Sequence, residues 1–377
     1  MEVTAKLENL NYKATLLPNL KEYGIDKFLS GELHETASFV LNHKGNRFGV
    51  SQWKSPKRTR TYPYARVYDT MALQTRITLI PFVKNEGFDG DQDYLQWDTV
   101  SLMSLLNVHV IIGYYRYAER NPDYENKITN HIMDYQYLRE QIDELTDYKS
   151  SALHWNLNQL EKCQFVAEKA KENYGRISKE LNIRLHSLDG IDKRIRMLKS
   201  NLQDFKKFSR KLSAEAQNRE FQTLQPKENL IEKKAKLTVK NYLGGEYHFT
   251  IDELKVERDL LILMEKKNSK KAKYPNISDI KDGFVKLMLF TNLADIRIGS
   301  ECYKNRSALG LTSSVFKGYC HNQMSDEEIE KVLKSNKLSP KQQKTVLSLF
   351  NEGRMNNFLI FLMGNSHPEY QNAMLAL

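Results

Sequence analysis

The sequence predicts a mixed α/β core in its first third, followed by a long antiparallel helical hairpin and a carboxy-terminal helical domain. Three observations carry that expectation. Short runs rich in aromatic and β-branched residues recur between residues 47 and 115, a composition that suits strands. Among them, residues 94–106 form an apolar segment with the length of a helix. Beyond Glu119 the apolar residues fall at three- and four-residue spacing over long stretches, the period of helices packed along a seam.

Taken in order, Glu32 to His43 places Leu33, Ala37, Val40 and Leu41 at helical spacing. Arg47 to Trp53 alternates as a short strand, Thr61 to Met71 follows as a second, and Arg76 to Lys84 is a third. Tyr94 to Leu106 is the apolar helix, and Val108 to Tyr115 is a continuous apolar run of the kind found in buried strands. The helical half begins with Lys127 to Tyr148. Two longer helices are predicted over about 151–183 and 191–223, parted by Ser187 to Gly190. One seam runs through Leu160, Ala167, Ala170, Tyr174, Ile177 and Leu181, the other through Ile191, Ile195, Leu198, Leu202, Phe205, Phe208 and Leu212. A connection this short makes them antiparallel neighbours, an arm of roughly 45–50 Å. Ala235 to Ile251 reads as a hairpin turned at Leu243-Gly244-Gly245, followed by a helix from Asp252 and the lysine run Lys266 to Lys273. From Pro275 onward the pattern is a small helical domain with capped starts at Ser325 and Ser339. The expected boundaries are therefore 1–120, 121–230, 231–274 and 275–377.

Composition narrows the function classes. With 40% hydrophobic and 28% charged residues the chain has the balance of a globular protein. It contains no apolar run of membrane-spanning length and its amino terminus lacks the order of a signal peptide, so a cytoplasmic protein without a membrane partner is expected. The three cysteines, Cys163, Cys302 and Cys320, are too few and too scattered for a disulfide framework. Residues 1–150 carry 18 Lys and Arg against 20 Asp and Glu, whereas 151–377 carry 39 against 27. Such an asymmetry suits a polyanion held by a basic part of the molecule and attacked at an acidic one.

The order helix, three strands, helix, strand over about residues 30–118 resembles the core of the restriction-endonuclease-like, or PD-(D/E)XK, nucleases. In that superfamily the second strand supplies an aspartate, and the third supplies an acid two residues before a lysine. Asp69 stands where the first is expected and Lys84 matches the lysine, but the residue two before Lys84 is Phe82. A branch of restriction enzymes moves the acid onto the following helix, twelve or thirteen residues past the lysine. Thirteen residues, 85 to 97, separate Lys84 from Asp98, an aspartate where that branch has glutamate. The resemblance implies a nuclease-like α/β core in which Asp69 and Asp98 hold Mg²⁺ and Lys84 orients a water. Glu86 is the nearest rival acid and Glu35 a candidate outer ligand. Carboxylate oxygens are the ligands Mg²⁺ prefers, and a bound cation lowers the pKa of water and polarises a phosphate.

Lys54, Lys57, Arg58, Arg60 and Arg66 are interleaved with Trp53, Tyr62, Tyr64 and Tyr68 just before Asp69. Cations for phosphates beside aromatic rings are what a nucleic-acid track requires. Further cations on the arm, Lys193, Arg194, Lys199, Lys206, Lys207 and Arg210, are placed to brace DNA or a partner. Other chemistries fall away. The acids Asp89, Asp91 and Asp93 open like a calcium loop, but Tyr94 and Val100 occupy the positions that need glycine and glutamate. His34-Glu35 lacks the second histidine of a zinc protease, and no phosphate-binding glycine loop is present. The expectation is a Mg²⁺-dependent DNA endonuclease of restriction or anti-phage type, homodimeric where both strands are cut. Two alternatives stay open: a DNA-binding protein whose core has lost chemistry, suggested by Phe82, and an interaction scaffold built on the helical arm.

Overall fold

The computed structural model describes residues 1–57, 62–200, 234–241 and 245–364, with isolated positions between 207 and 218. It is a mixed α/β protein of two units, a middle unit of residues 18–213 and a terminal unit formed by 1–17 with 214–377. The sequence-based boundaries at 120 and 275 each fall inside a unit.

The terminal unit opens with β1 (Glu2–Leu7). The middle unit then runs β2 (Glu22–Gly24), α1 (Ile25–Leu29), β3 (Ser38–His43), β4 (Asn46–Gln52), α2 (Pro63–Asp69), β5 (Thr75–Pro81), β6 (Val83–Asn85), β7 (Gln92–Tyr94), α3 (Trp97–Leu105), β8 (His109–Gly113), β9 (Tyr115–Arg120), β10 (Ile128–Met133), α4 (Tyr135–Thr146), α5 (Ala152–Glu161), α6 (Cys163–Leu181) and α7 (Asp189–Ser200). Its main sheet has the order β2-β3-β4-β5-β8. β3 and β4 are antiparallel, while β4, β5 and β8 are parallel, with α2 and α3 as the crossovers.

Two expected elements are exchanged here. The helix expected over 32–43 is a turn followed by β3, in which Phe39, Val40 and Leu41 are all buried. A strand covered on both faces loses its period-two alternation, and its apolar run then mimics helical spacing. The strand expected over 61–71 is α2. Proline sits at its first turn, and Tyr64, Val67 and Tyr68 are buried at three- and four-residue spacing, so packing overrides aromatic strand propensity. The expected third strand stops at Pro81, and Lys84 belongs to the separate β6–β7 hairpin. These changes replace the anticipated nuclease-like strand order by one with an additional crossover helix.

The turn after α2 rests on β4 at Gly49, where an added Cβ would lie 2.9 Å from Leu73 Cβ and 3.1 Å from Thr70 Cβ. Gly49→Ala is therefore expected to destabilise the middle unit by about 1–3 kcal/mol through overpacking, read by chemical denaturation. At the β8 edge, side chains of α5 take the place of a neighbouring strand. Asn156 Oδ1 accepts from Val110 N at 2.6 Å, its Nδ2 donates to Val108 O at 2.9 Å, and Trp155 Nε1 donates to Val110 O at 2.8 Å. An open edge is thereby satisfied within the fold.

The expected helical arm is only partly recovered. Its first helix is divided at Lys162 into α5 and α6. Ala167, Ala170, Tyr174 and Ile177 are buried, but α6 packs on β9 as well as on α7. The seam residues from Leu198 to Leu212, with Lys199 and Lys206, lie outside the described residues or side chains. Arg194 is turned inward, its guanidinium 3.6 Å from the Tyr94 ring centroid.

The terminal unit continues with β11 (Ala235–Asn241), β12 (Glu246–Ile251), β13 (Glu253–Glu257), β14 (Leu260–Ser269), α8 (Ile277–Phe290), β15 (Leu293–Ile298), β16 (Glu301–Ser313), β17 (Tyr319–His321), α9 (Asp326–Ser335), α10 (Pro340–Met355) and β18 (Leu359–Gly364). The β11–β12 hairpin is as expected, although residues 242–244 of its turn lie outside the described residues. The helix expected from Asp252 is instead the antiparallel pair β13–β14. Capping boxes start α9 at Ser325 and α10 at Ser339, as the sequence indicates. The expected helical domain nevertheless contributes β15 to β18 to a sheet: β14, β16 and β18 are parallel, with α8 packed on β14 and β16.

Glu352, fully buried on α10, holds the early chain in place. It accepts from Tyr12 Oη at 2.6 Å, and from Thr15 N, Thr15 Oγ1 and Leu16 N at 2.9 Å each. Glu352→Ala removes the shared acceptor of these part-buried donors, and a loss of about 2–3 kcal/mol is expected, measured as a lower denaturation midpoint with an unchanged m-value.

Candidate active site

The middle unit gathers part of the constellation expected from the sequence. Lys84 on β6, Glu86 just beyond it, Glu35 before β3 and Lys54 after β4 line one cavity of about 280 Å³. Lys84 Nζ lies 2.6 Å from Glu86 Oε1, and both side chains are 17% exposed. Lys54 pairs with Glu35. His131 and Tyr115 form another wall, with ring centroids 4.9 Å apart. Burial pulls the His131 pKa down to about 4, and its Nε2 lies 2.9 Å from the Asn85 carbonyl oxygen, so the neutral ring donates there from Nε2.

Neither Asp69 nor Asp98 lines that cavity. Asp69 ends α2, and Asp98 is 3% exposed near the start of α3, where its Oδ1 accepts from Thr99 N at 3.0 Å. Asp69 and Asp98 thus do not join Lys84 in that lining; the aspartate expected on a strand lies on a helix, and the lysine lies past the end of β5. The basic track is also engaged internally. Lys57 lies 3.7 Å from Asp93, and Arg66 donates to the Gln52 carbonyl oxygen. Arg58 and Arg60 lie outside the described residues.

The terminal unit builds a second constellation, which the sequence reading missed. Alternation along β14 sends Ile262 and Met264 to one face, into a cluster with Ala308, Leu359, Phe361 and Met363. Glu265 and Lys267 therefore share the opposite face, which α8 covers. Gly283 on α8 permits close approach: a Cβ there would stand 3.4 Å from Lys267 Cε and 3.8 Å from Glu265 Cγ. Asp282 and Lys286, four residues apart on α8, face the same cluster. Lys286 Nζ reaches both oxygens of Glu265 at 2.9 and 3.0 Å, and Lys267 Nζ lies 3.0 Å from Glu265 Oε1 and 3.9 Å from Asp282 Oδ2.

Asp252 completes the group from the neighbouring strand. The antiparallel register pairs Glu253 with Met264, so Asp252 stands opposite Glu265, one residue beyond the ladder. Its Oδ2 accepts from Lys266 N at 2.7 Å. Burial first, and the Glu265 charge second, push the Asp252 pKa up to about 7. Glu265 is itself fully buried; burial works to raise its pKa, but Lys286 and Lys267 outweigh that and hold it ionised. Burial also raises the pKa of Asp282, whose Oδ1 meets no hydrogen-bond donor among the described residues. Three carboxyls thus face two ammoniums, and burial beside Glu265 favours a proton on Asp252.

The donor set suits Mg²⁺. Among the described residues no group of three or more His, Cys, Asp or Glu side chains forms a ready cage, but Mg²⁺ retains several waters and is commonly held by one or two carboxylates. Asp252 and Glu265 supply two, and a divalent cation would take the place of the proton that Asp252 favours. The local signal was present in the chain as Glu265-Lys266-Lys267, an acid two residues before a lysine, and was absorbed into a lysine-rich run. No protein-family model matches this chain, and no curated protein and no solved structure matches it.

Proposed function

We propose that the protein is a Mg²⁺-dependent phosphodiesterase acting on DNA, with its reactive centre in the terminal unit at Asp252, Glu265 and Lys267. The observation that carries the reading is the cross-strand opposition of Asp252 and Glu265 with Lys267 two residues further along the same face. This is the residue pattern that the nuclease resemblance implies, an aspartate beside one strand and an acid-x-lysine on the next, found far from where the amino-terminal segment suggested it. β14 is followed by the helix α8 and then β15, and β16 beyond them pairs parallel with β14.

Asp252 and Glu265 would hold the cation, which when bound supplies Lewis-acid polarisation of a phosphate and a lowered pKa for water. Lys267 is tethered by Glu265, and its ammonium would donate to a water or to a phosphate oxygen. Lys286 neutralises Glu265 when no cation is present and prevents the buried carboxylates from repelling one another. The excess of cations in residues 151–377 favours a polyanionic substrate.

Plasmid cleavage under Mg²⁺ tests the assignment, comparing the wild-type protein with Asp252→Asn and Asp69→Asn. The expected result is cleavage by the wild type and Asp69→Asn, and none by Asp252→Asn. Equal cleavage by all three would remove Asp252 from the mechanism, and loss in Asp69→Asn alone would return the chemistry to the middle unit.

A further inference from the structure

The cavity of the middle unit is not used by this chemistry. Two of the lysines in its lining are already paired inside the protein, Lys84 with Glu86 and Lys54 with Glu35. A carboxylate or phosphate buried there would have to displace one of those acids, whereas an uncharged polar ligand would not. At about 30 Å³ per water the cavity has the space of about nine waters. Flat aromatic surface borders it at Tyr115, His131 and Tyr135, and the buried Trp53, also in its lining, has an indole N–H with no acceptor among the described residues.

Hydrogen-bonding chemistry narrows the ligand further. Lys84 Nζ and Glu86 Oε1, 2.6 Å apart, present a donor beside an acceptor at partly accessible positions. That arrangement complements the edge of a nucleobase, where ring or exocyclic N–H groups adjoin a carbonyl oxygen or ring nitrogen. Guanine fits it best, because two adjacent N–H groups can meet one carboxylate while O6 meets the ammonium. The neutral His131 ring adds a stacking surface without adding charge. Lys127 also lines the cavity, its ammonium 5.1 Å from the Tyr124 ring centroid, a place for the phosphate of a nucleotide whose base lies within.

We propose that this cavity is a nucleobase-binding pocket that reads the base edge with Glu86 and Lys84. The base can come from a free nucleotide or from a strand that extrudes it, and the assay separates the two. The full-length protein in EDTA, where metal-dependent hydrolysis is silent, is titrated calorimetrically with each of the four deoxynucleoside monophosphates. In parallel it is mixed with duplex DNA in which 2-aminopurine, whose fluorescence rises when it loses a stacking neighbour, stands next to a guanine.

Saturable binding of deoxyguanosine monophosphate, weakened at least tenfold by Glu86→Gln, assigns a free-nucleotide pocket. A fluorescence rise with duplex, without mononucleotide binding and lost in the same variant, assigns an extruded base. Thr129→Trp, which fills the cavity from β10, serves where Glu86→Gln fails to fold and is expected to abolish either signal. Absence of both signals in the wild type, or their persistence in a folded Glu86→Gln or Thr129→Trp protein, overturns the proposal. Cleavage under Mg²⁺ is read separately, so an empty pocket leaves the Asp252 centre standing and a dead Asp252 centre leaves the pocket standing.

Discussion

Asp252→Asn is expected to lower Mg²⁺-dependent cleavage by about 100-fold or more, while the folded protein becomes no less stable and, at neutral to alkaline pH, more stable. The two effects have one cause. Asp252 is pressed against Glu265 in a low-polarity setting, and its pKa is raised from 3.8 to about 7. For an acid with a raised folded-state pKa, the folded protein holds a proton that the unfolded chain has released. Stability is therefore lost as pH climbs from about 4 to about 7, by at most about 4 kcal/mol. Asparagine carries no charge and its Oδ1 can still accept from Lys266 N, so the variant escapes the penalty. Its melting temperature should match the wild type near pH 4 and exceed it above pH 7, with both measured in EDTA. A cluster serving stability alone predicts the opposite, a variant that melts lower at every pH with cleavage intact. That pairing of lost activity with gained stability is the mark of a group retained for chemistry.

What the sequence disclosed, and what it hid, follows from how local each signal is. β4, α3 and β8 are legible because alternation, apolar length and flanking residues lie within a single window. The caps of α9 and α10 are legible for the same reason, each being a serine with its Glu or Gln partner three residues on. β3 and α2 are not, since burial on both faces erases the strand period in one and core packing overrides aromatic propensity in the other. The site falls between these cases. Glu265 and Lys267 show their spacing in the sequence, but the preceding Leu260-Leu261-Ile262-Leu263-Met264 lacks alternation and, among so many charges, resembles a helix. Asp252 could not be connected to them at all without the register that sets Glu253 against Met264. In the middle unit, Lys84, Glu86 and Glu35, expected at a metal site, and Lys54, expected on a nucleic-acid track, line one cavity; of the two aspartates expected with them, Asp98 lies on the helix foreseen and Asp69 on a helix in place of a strand.

The pH dependence of cleavage supplies the strongest quantitative check on which carboxyl binds the cation. A protonated Asp252 has lost the charge that would attract Mg²⁺, whereas Glu265 remains ionised because Lys286 and Lys267 hold it so. At limiting Mg²⁺ the rate should fall about tenfold for each pH unit below about 7, a limb set by Asp252 alone. Binding of the cation competes with binding of the proton, so raising Mg²⁺ must move this limb to lower pH. The same linkage requires Mg²⁺ to raise the melting temperature, and to do so more at pH 8 than at pH 5.5. Lys286→Met sharpens the test, since removing an ammonium that lowers the Asp252 pKa moves the limb to higher pH. A rate that stays flat from pH 8 to pH 5.5 at limiting Mg²⁺, or a limb that ignores the Mg²⁺ concentration, would mean that Asp252 is not a ligand. The hydrolytic centre would then have to be sought elsewhere in the chain.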